Sequence, residues 1–301
     1  MIVKLNPAFK SYLWSGKNLK TQYNKVSNLD TIAESWELSF TPDGLSVVAS
    51  GNHAGRFLAD VVTDNDLGAN VTAFPFFPVL VKLIDSAQTL SVQVHPSDGY
   101  ALANEGQYGK TEMWHILQAT DDAFIYLGLN RSVTAQELSQ AVAADTVCSL
   151  LNKIPVRAGQ TYFVPSGTIH AIGAGVTLAE IQQNSTLTYR LYDFNRVDAN
   201  GNKRPLHVEK ALAVVNLNKY QEHSAERSEL LGKCKYFTAY RYSGSRTVGR
   251  SDSFVSVTVL DGEITLGDLR LVKGDTAFVS AGERAAVTGD GSYLVVCVDR
   301  E

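Results

Sequence analysis

Most of the chain falls into short runs rich in Val, Ile, Leu, Phe and Tyr, separated by Gly, Asn and Asp: "LSVQVHP", "AFIYLGL", "QTYFVPSG", "VTLAEIQQ", "FVSVTVLDGEITLG", "TAFVSAG" and "SYLVVCVD". Runs of this length and punctuation predict antiparallel strands of a sandwich or barrel. In "SVQVH" the alternation sets Ser91, Gln93 and His95 on one face and Val92 and Val94 on the other. A row of hydroxyl, amide and imidazole is either a solvated face or the wall of a site. Helical spacing is confined to a few places. Thr134 with Glu137 three residues on forms a capping-box pattern, followed by Leu138, Val142 and Val147 at helical positions. "RPLHVEKALAVVNL" reads as one more short helix, whereas "FPVLVKLID" is too short to assign.

A polar stretch, "NKYQEHSAERSELLGKCKYF", marks a linker into a smaller β domain, so the expected division is 1–232 and 233–301. An internal similarity crosses that division. Gly159, Pro165, Gly167 and His170 of "GQTYFVPSGTIHAI" recur in frame as Gly274, Ser280, Gly282 and Ala285 of "GDTAFVSAGERAAV". The second copy is either a true duplication or a hairpin that needs only a turn. The frame GxxxxxPxGxxH resembles the second motif of the cupin family, double-stranded β-helix (jelly-roll) barrels that hold a metal inside. The resemblance implies a mainly β protein of two barrels with a few short helices. In it His170 faces the interior of the first, and the second is degenerate because Ala285 offers no donor.

Composition narrows the partners. The chain has 301 residues, 45% hydrophobic and 19% charged, enough for a large core. A net charge of −4 and a pI near 5.9 argue against a nucleic-acid or anionic-membrane surface. A phosphorylated partner is therefore expected to be small. Cys148, Cys234 and Cys297 form no CxxC pair, which suits reduced thiols in a cytoplasmic protein. "MIVKLNPAFKSYLW" has no apolar leader, so neither export nor a membrane is expected.

A metal inside a barrel needs donors from different strands. His95 with Gln93, Glu112 in "GKTEMW" and His170 are the candidates, a nitrogen and oxygen set suited to Zn²⁺ with an open position or to Fe²⁺, Mn²⁺ or Co²⁺. His115 is an odd number of residues from Glu112 and is expected on the opposite face, in a structural role. His53, His207 and His223 read as surface or packing residues.

The blocks "FPVLVKLIDSAQTLSVQVHPSDGYA", "GKTEMWHIL" and "VPSGTIHAIGAGVTLAEIQQNSTLTYRLYDFNR", with "ESWELS" at 34–39, closely resemble type I phosphomannose isomerases of short bacterial form, over roughly residues 1–215. The resemblance implies a zinc-dependent cupin that interconverts mannose 6-phosphate and fructose 6-phosphate, with one zinc per chain held by His95, Glu112 and His170 and with Gln93 as a fourth ligand. It places the family's essential arginine at Arg190 and a proton-transfer carboxylate at Glu180. Ser91, Lys110 and Arg196 fall on positions lining the substrate or phosphate pocket, Lys110 together with Arg190 stabilising an enediolate. The expected state is a monomer or weak homodimer. Three features depart from the pattern: Ser15 precedes Gly16 where a glycine pair is usual, Ala174 replaces an asparagine after the histidine, and the helical insertion shrinks to about residues 132–153. Two rivals stand beside this reading, an iron oxygenase built on the same two-histidine, one-carboxylate set and a non-catalytic sugar-phosphate sensor.

Overall fold

The computed structural model describes residues 1–198, 200–221 and 229–299. His223, with residues 222–228 of the polar linker, lies outside the described residues. The molecule is mainly β, with two pairs of antiparallel sheets. One pair makes the first barrel. Its six-stranded sheet runs, in spatial order, Thr161–Val164, Glu112–Ala119, Val176–Gln183, Val79–Ser86, Glu34–Leu38 and Ala8–Lys10. The five-stranded sheet facing it runs Tyr189–Tyr192, Val92–Val94, His170–Ile172, Phe124–Leu129 and Leu151–Pro155. Ile84, Trp114, Ile116, Ile125, Leu127, Ile172 and Leu178 are buried together in one core cluster of this barrel. The run "FPVLVKLID" becomes the strand Val79–Ser86, buried at every position. A strand covered on both faces has no alternation to read.

The second pair contains a seven-stranded sheet, Leu230–Lys233, Thr238–Ser243, Ser292–Cys297, Val255–Asp261, Thr276–Val279, Ile2–Asn6 and Val47–Val48. Its partner is four-stranded: Arg246–Val248, Ala285–Thr288, Glu263–Leu266 and Leu269–Val272. The strand Ile2–Asn6 pairs with Thr276–Val279, so the segment 233–301 completes its larger sheet with strands from the N-terminus. One apolar cluster joins the two barrels, containing Val3, Val81, Met113 and Ile181 beside Phe237, Phe254 and Phe278. A buried ion pair fastens the same seam. Lys25 Nζ lies 2.6 Å from Glu37 Oε1 and also donates to Gly274 O, while the Thr276 hydroxyl donates to Glu37 Oε2 at 2.7 Å.

The repeated frame is a corner, not a hairpin. Thr161–Val164 lies in the six-stranded sheet and His170–Ile172 in the five-stranded one; Thr276–Val279 and Ala285–Thr288 are likewise divided between the two sheets of the second barrel. The leading glycines, Gly159 and Gly274, have φ of 88° and 90°, and Gly167 and Gly282 have 83° and 85°. The copies therefore share backbone as well as spacing. Ala285 is buried in the same apolar cluster as Val257, Ile264, Leu271 and Val287, and offers no donor itself.

The predicted capping box is present: the Thr134 hydroxyl accepts from Glu137 N, and the Glu137 carboxylate accepts from Thr134 N, at the start of helix Ala135–Ala143. The helix stops there, and the chain continues into the strand Leu151–Pro155. Val208–Val214 is the second expected helix. Asp98–Glu105 is a further helix that the pattern did not announce, closed by Gly106 at φ 66°. None of the three cysteines is in a disulfide; Cys297 is buried and the other two partly so. No helix among the described residues is long and apolar enough to cross a membrane.

Candidate active site

Strand register assembles the site. Gln93 is the cross-strand partner of both His170 and Arg190, so Arg190, Gln93 and His170 form a row across the five-stranded sheet. On the facing sheet Lys82 is paired with Trp36 and Glu180, and Glu180 with Trp114, while Gln182 pairs with Glu112. His95 follows the end of strand Val92–Val94 and enters from the first sheet's side.

The ligand atoms of His95, Glu112 and His170 lie within 4.8 Å of one another, and all three residues are buried. His170 Nε2 is 3.4 Å from Glu112 Oε1, and His95 Nε2 is 3.6 Å from Glu112 Oε2. Each imidazole is oriented through its other nitrogen: His95 Nδ1 lies 2.7 Å from Leu187 O and His170 Nδ1 lies 2.8 Å from Thr168 O. A carbonyl can only accept, so both Nδ1 atoms carry the proton and both Nε2 atoms present lone pairs inward. Glu112 Oε1 is buried without a hydrogen-bond donor. Lys110 Nζ lies 3.3 Å from His95 Nε2 and also pairs with Glu112, so a cation already borders this point; two inward imidazole nitrogens and an orphaned carboxylate oxygen remain a donor set that fits a divalent metal. The Gln93 amide is 3.4 Å from His170 Nε2, and turning it over would offer its oxygen to the same point.

The wall beside this point is a buried ladder of alternating charge. Glu34 stands 3.4 Å from Lys82, Lys82 stands 3.1 Å from Glu180, and Glu180 stands 3.6 Å from Lys110, which is paired in turn with Glu112. Trp36 and Trp114 donate their indole N–H groups to Glu34 and Glu180 at 2.7 and 3.1 Å. Burial alone would raise the Glu180 carboxyl, but Lys110 and Lys82 hold it well below the usual carboxylate range. Burial and the Glu180 charge push the Glu112 carboxyl up despite Lys110. A cation beside Glu112 would reverse that shift.

Above the ladder opens a cleft of about 450 Å³ lined by Ser91, Gln93, Lys110, Glu180 and Arg190, together with Lys10, Tyr12, Trp14, Glu34, Trp36, Lys82 and Arg204. Arg190 is half-buried; its Nε donates to Ser91 Oγ at 3.3 Å and its Nη1 to Pro205 O at 2.9 Å, and no carboxylate pairs with it among the described residues. Burial and the nearby Arg204 and Arg196 charges lower its pKa, the signature of crowded cations. Ser15, the departure near the N-terminus, bonds to the Tyr12 backbone at 2.7 Å and so closes the turn that brings Tyr12 and Trp14 to the rim.

Of the residues expected to act on or bind the substrate, Arg196 alone does not line the cleft. Asp193 and Thr89 O hold its guanidinium, and Phe194 lies beneath it. Arg204 lines the cleft instead, gripped by both oxygens of Asp193 at 2.7 and 2.5 Å. Lys82, Glu34 and Arg204 were missed because nothing local distinguishes them: a lysine in an apolar run gives no sign that two carboxylates face it across the sheet. His115 points away from the metal cluster, its Nδ1 lying 2.9 Å from Thr161 Oγ1, as its odd spacing from Glu112 predicts.

Fold and site together define an enzyme of cupin architecture, built around a two-histidine, one-carboxylate centre. The family description "Phosphomannose isomerase type I, catalytic domain" matches residues 2–120. A mannose-6-phosphate isomerase of Streptococcus mutans is 37% identical over 87% of this chain and 87% of its own length. A probable mannose-6-phosphate isomerase of Bacillus subtilis is 37% identical over 89% of this chain and 87% of its own. The chain belongs to the type I phosphomannose isomerase family. The crystal structure of the mannose 6-phosphate isomerase from Bacillus subtilis superposes with a TM-score of 0.86 at 31% identity, covering 98% of this chain and 99% of that one. A mannose 6-phosphate isomerase bound with zinc and yttrium shares the fold at a TM-score of 0.79 and 18% identity, with 100% of both chains covered.

Proposed function

We propose that this enzyme interconverts mannose 6-phosphate and fructose 6-phosphate through a cis-enediol, with a divalent metal, zinc by its donor set, held by His95, Glu112 and His170 and with Gln93 beside them. The observation that carries the reading is the convergence of two imidazole nitrogens and an unpartnered carboxylate oxygen beside a cleft lined by Arg190, which pairs with no carboxylate among the described residues. Moving a carbonyl between C1 and C2 takes a proton from the carbon beside it and leaves negative charge on oxygen. A bound Zn²⁺ supplies Lewis acidity toward those oxygens. Arg190, in the row with Gln93, and Lys110, against Glu112, stabilise the developing charge. Glu180 lies in the cleft wall and is kept ionised by Lys82 and Lys110, the form that accepts a proton. The same pairing makes it a weak base, which places the larger share of catalysis on enediolate stabilisation. Ser91 and Arg204 face the phosphate.

The test is a coupled assay with mannose 6-phosphate on chelated and zinc-restored protein, with deuterium exchange at C2 followed by NMR. Interconversion that disappears on chelation and returns with zinc is expected. Binding without exchange would turn the reading to a sensor, and oxygen consumption with iron and an organic co-substrate would turn it to an oxygenase.

A further inference from the structure

The second barrel supplies none of the donors, yet its first hairpin leans on the strand that carries Glu112. That hairpin joins Leu230–Lys233 to Thr238–Ser243. Phe237, in its turn, is buried in the same cluster as Met113 and Ile181, and a Cβ on Gly232 would stand 3.0 Å from Met113 Sδ. From the same turn Tyr236 donates its hydroxyl to Asp98 Oδ2. Burial, reinforced by the Asp98 carboxylate, keeps this phenol protonated and therefore a donor.

Asp98 Oδ1 passes the contact on. It accepts from Gly109 N at 2.9 Å and from Gln183 Nε2 at 2.8 Å. Gln183 takes hold of the next residue but one: its Oε1 accepts from Thr111 N at 2.8 Å and its backbone N–H donates to Thr111 O at 3.0 Å. Lys110 N donates to Pro96 O at 3.0 Å, and Gly109 packs so closely that an added Cβ would fall 2.5 Å from that same oxygen. The backbone of Gly109, Lys110 and Thr111 is thus anchored residue by residue, immediately before Glu112.

We propose that Tyr236 is a positioning residue for the metal centre: through Asp98 the second barrel fixes the segment Gly109–Glu112, and with it the places of the Lys110 and Glu112 side chains. This rests on the metal-centre reading above. Partners that orient a ligand from behind typically carry about 10- to 100-fold in metal affinity or activity, and Tyr236 acts one residue further back, so the lower end applies.

Tyr236→Phe keeps the ring beside Phe74 and Tyr108 and removes only the hydroxyl. We expect zinc to be lost to a competing chelator at about tenfold lower chelator concentration, and kcat to fall about tenfold with KM nearly unchanged. Asp98→Ala should do the same, and the double variant should be no worse than Asp98→Ala alone. Thr258→Ala, which breaks the buried Thr258–Thr276 hydroxyl pair within the second barrel, is the control for general loosening and should leave zinc affinity unchanged. Wild-type zinc affinity and kcat in Tyr236→Phe would overturn the proposal, as would an equal loss in Thr258→Ala. A wild-type protein that binds zinc but does not isomerise would overturn the functional reading alone, since the chelator comparison does not depend on turnover. A wild type that binds no zinc would overturn both.

Discussion

Glu112→Gln should change the sign of its effect with the metal. Without a metal the Glu112 carboxylate faces two imidazole nitrogens at 3.4 and 3.6 Å; Lys110 serves its Oε2 and the His95 nitrogen, but its Oε1, beside His170, has no donor. An unsatisfied buried polar atom costs about 1–3 kcal/mol, more when charged. Glutamine has nearly the same shape, and its NH2 in the place of Oε1 donates to the His170 nitrogen while its oxygen keeps Lys110. Lys110 loses its nearest counter-charge but keeps Glu180 at 3.6 Å, which offsets part of the gain. The metal-free variant should therefore match or exceed the metal-free wild type, by up to about 3 kcal/mol. With the metal the order reverses. A ligand at about a hundred times its dissociation constant stabilises the folded state by about 2.7 kcal/mol, roughly 4 °C in Tm for a chain of this size. The amide variant forfeits that gain. The assay is thermal unfolding of both proteins after chelation and after zinc addition, with zinc content measured on the same samples. A variant destabilised equally in both conditions would show that Glu112 is an ordinary structural carboxylate, and a retained zinc-dependent rise in Tm would remove it from the ligand set.

Arg190→Ala should lower kcat by about 10²-fold while the unfolding midpoint moves little, because the guanidinium pairs with no carboxylate and bonds only Ser91 and a carbonyl; steady-state kinetics beside denaturant unfolding would check this. His115 is buried, and burial with the Arg241 charge pushes its imidazole down to about 4 from 6.5. The unfolded chain therefore binds the extra proton first, so stability is complete above pH 6.5 and falls as pH drops toward 4, by about 3 kcal/mol from this group. His115→Gln should flatten that limb in urea unfolding at pH 4.5 and 7, and an unchanged slope would refute the assignment. Ala285→His restores the repeated frame but not a site, since its surroundings are Val257, Ile264 and Leu271; metal content should stay at one ion per chain and Tm should fall by several degrees from overpacking.

The sequence by itself determined the β architecture and the capped helix after Thr134, and it singled out His95, Glu112 and His170, which the fold brings together, because each is marked in local terms or in a family motif. Period-two alternation puts Gln93 and His95 on one face, odd spacing sends His115 to the other, and the glycine frame sets the corner at His170. Its limits were equally physical. A strand buried on both faces, such as Val79–Ser86, has no alternation to read, and the register that sets Lys82 between Glu34 and Glu180 depends on chain segments far away in sequence. Arg196 and Arg204 are both basic residues near Asp193, and nothing between them in the chain says which one turns toward the cleft. Only the tertiary structure decided that. It alone also showed that Ile2–Asn6 joins the second barrel's sheet, and that Tyr236 reaches back from that barrel to Asp98, which bonds the backbone just before Glu112. Contacts of that kind are made between elements whose positions are fixed by packing, and packing has no local signature.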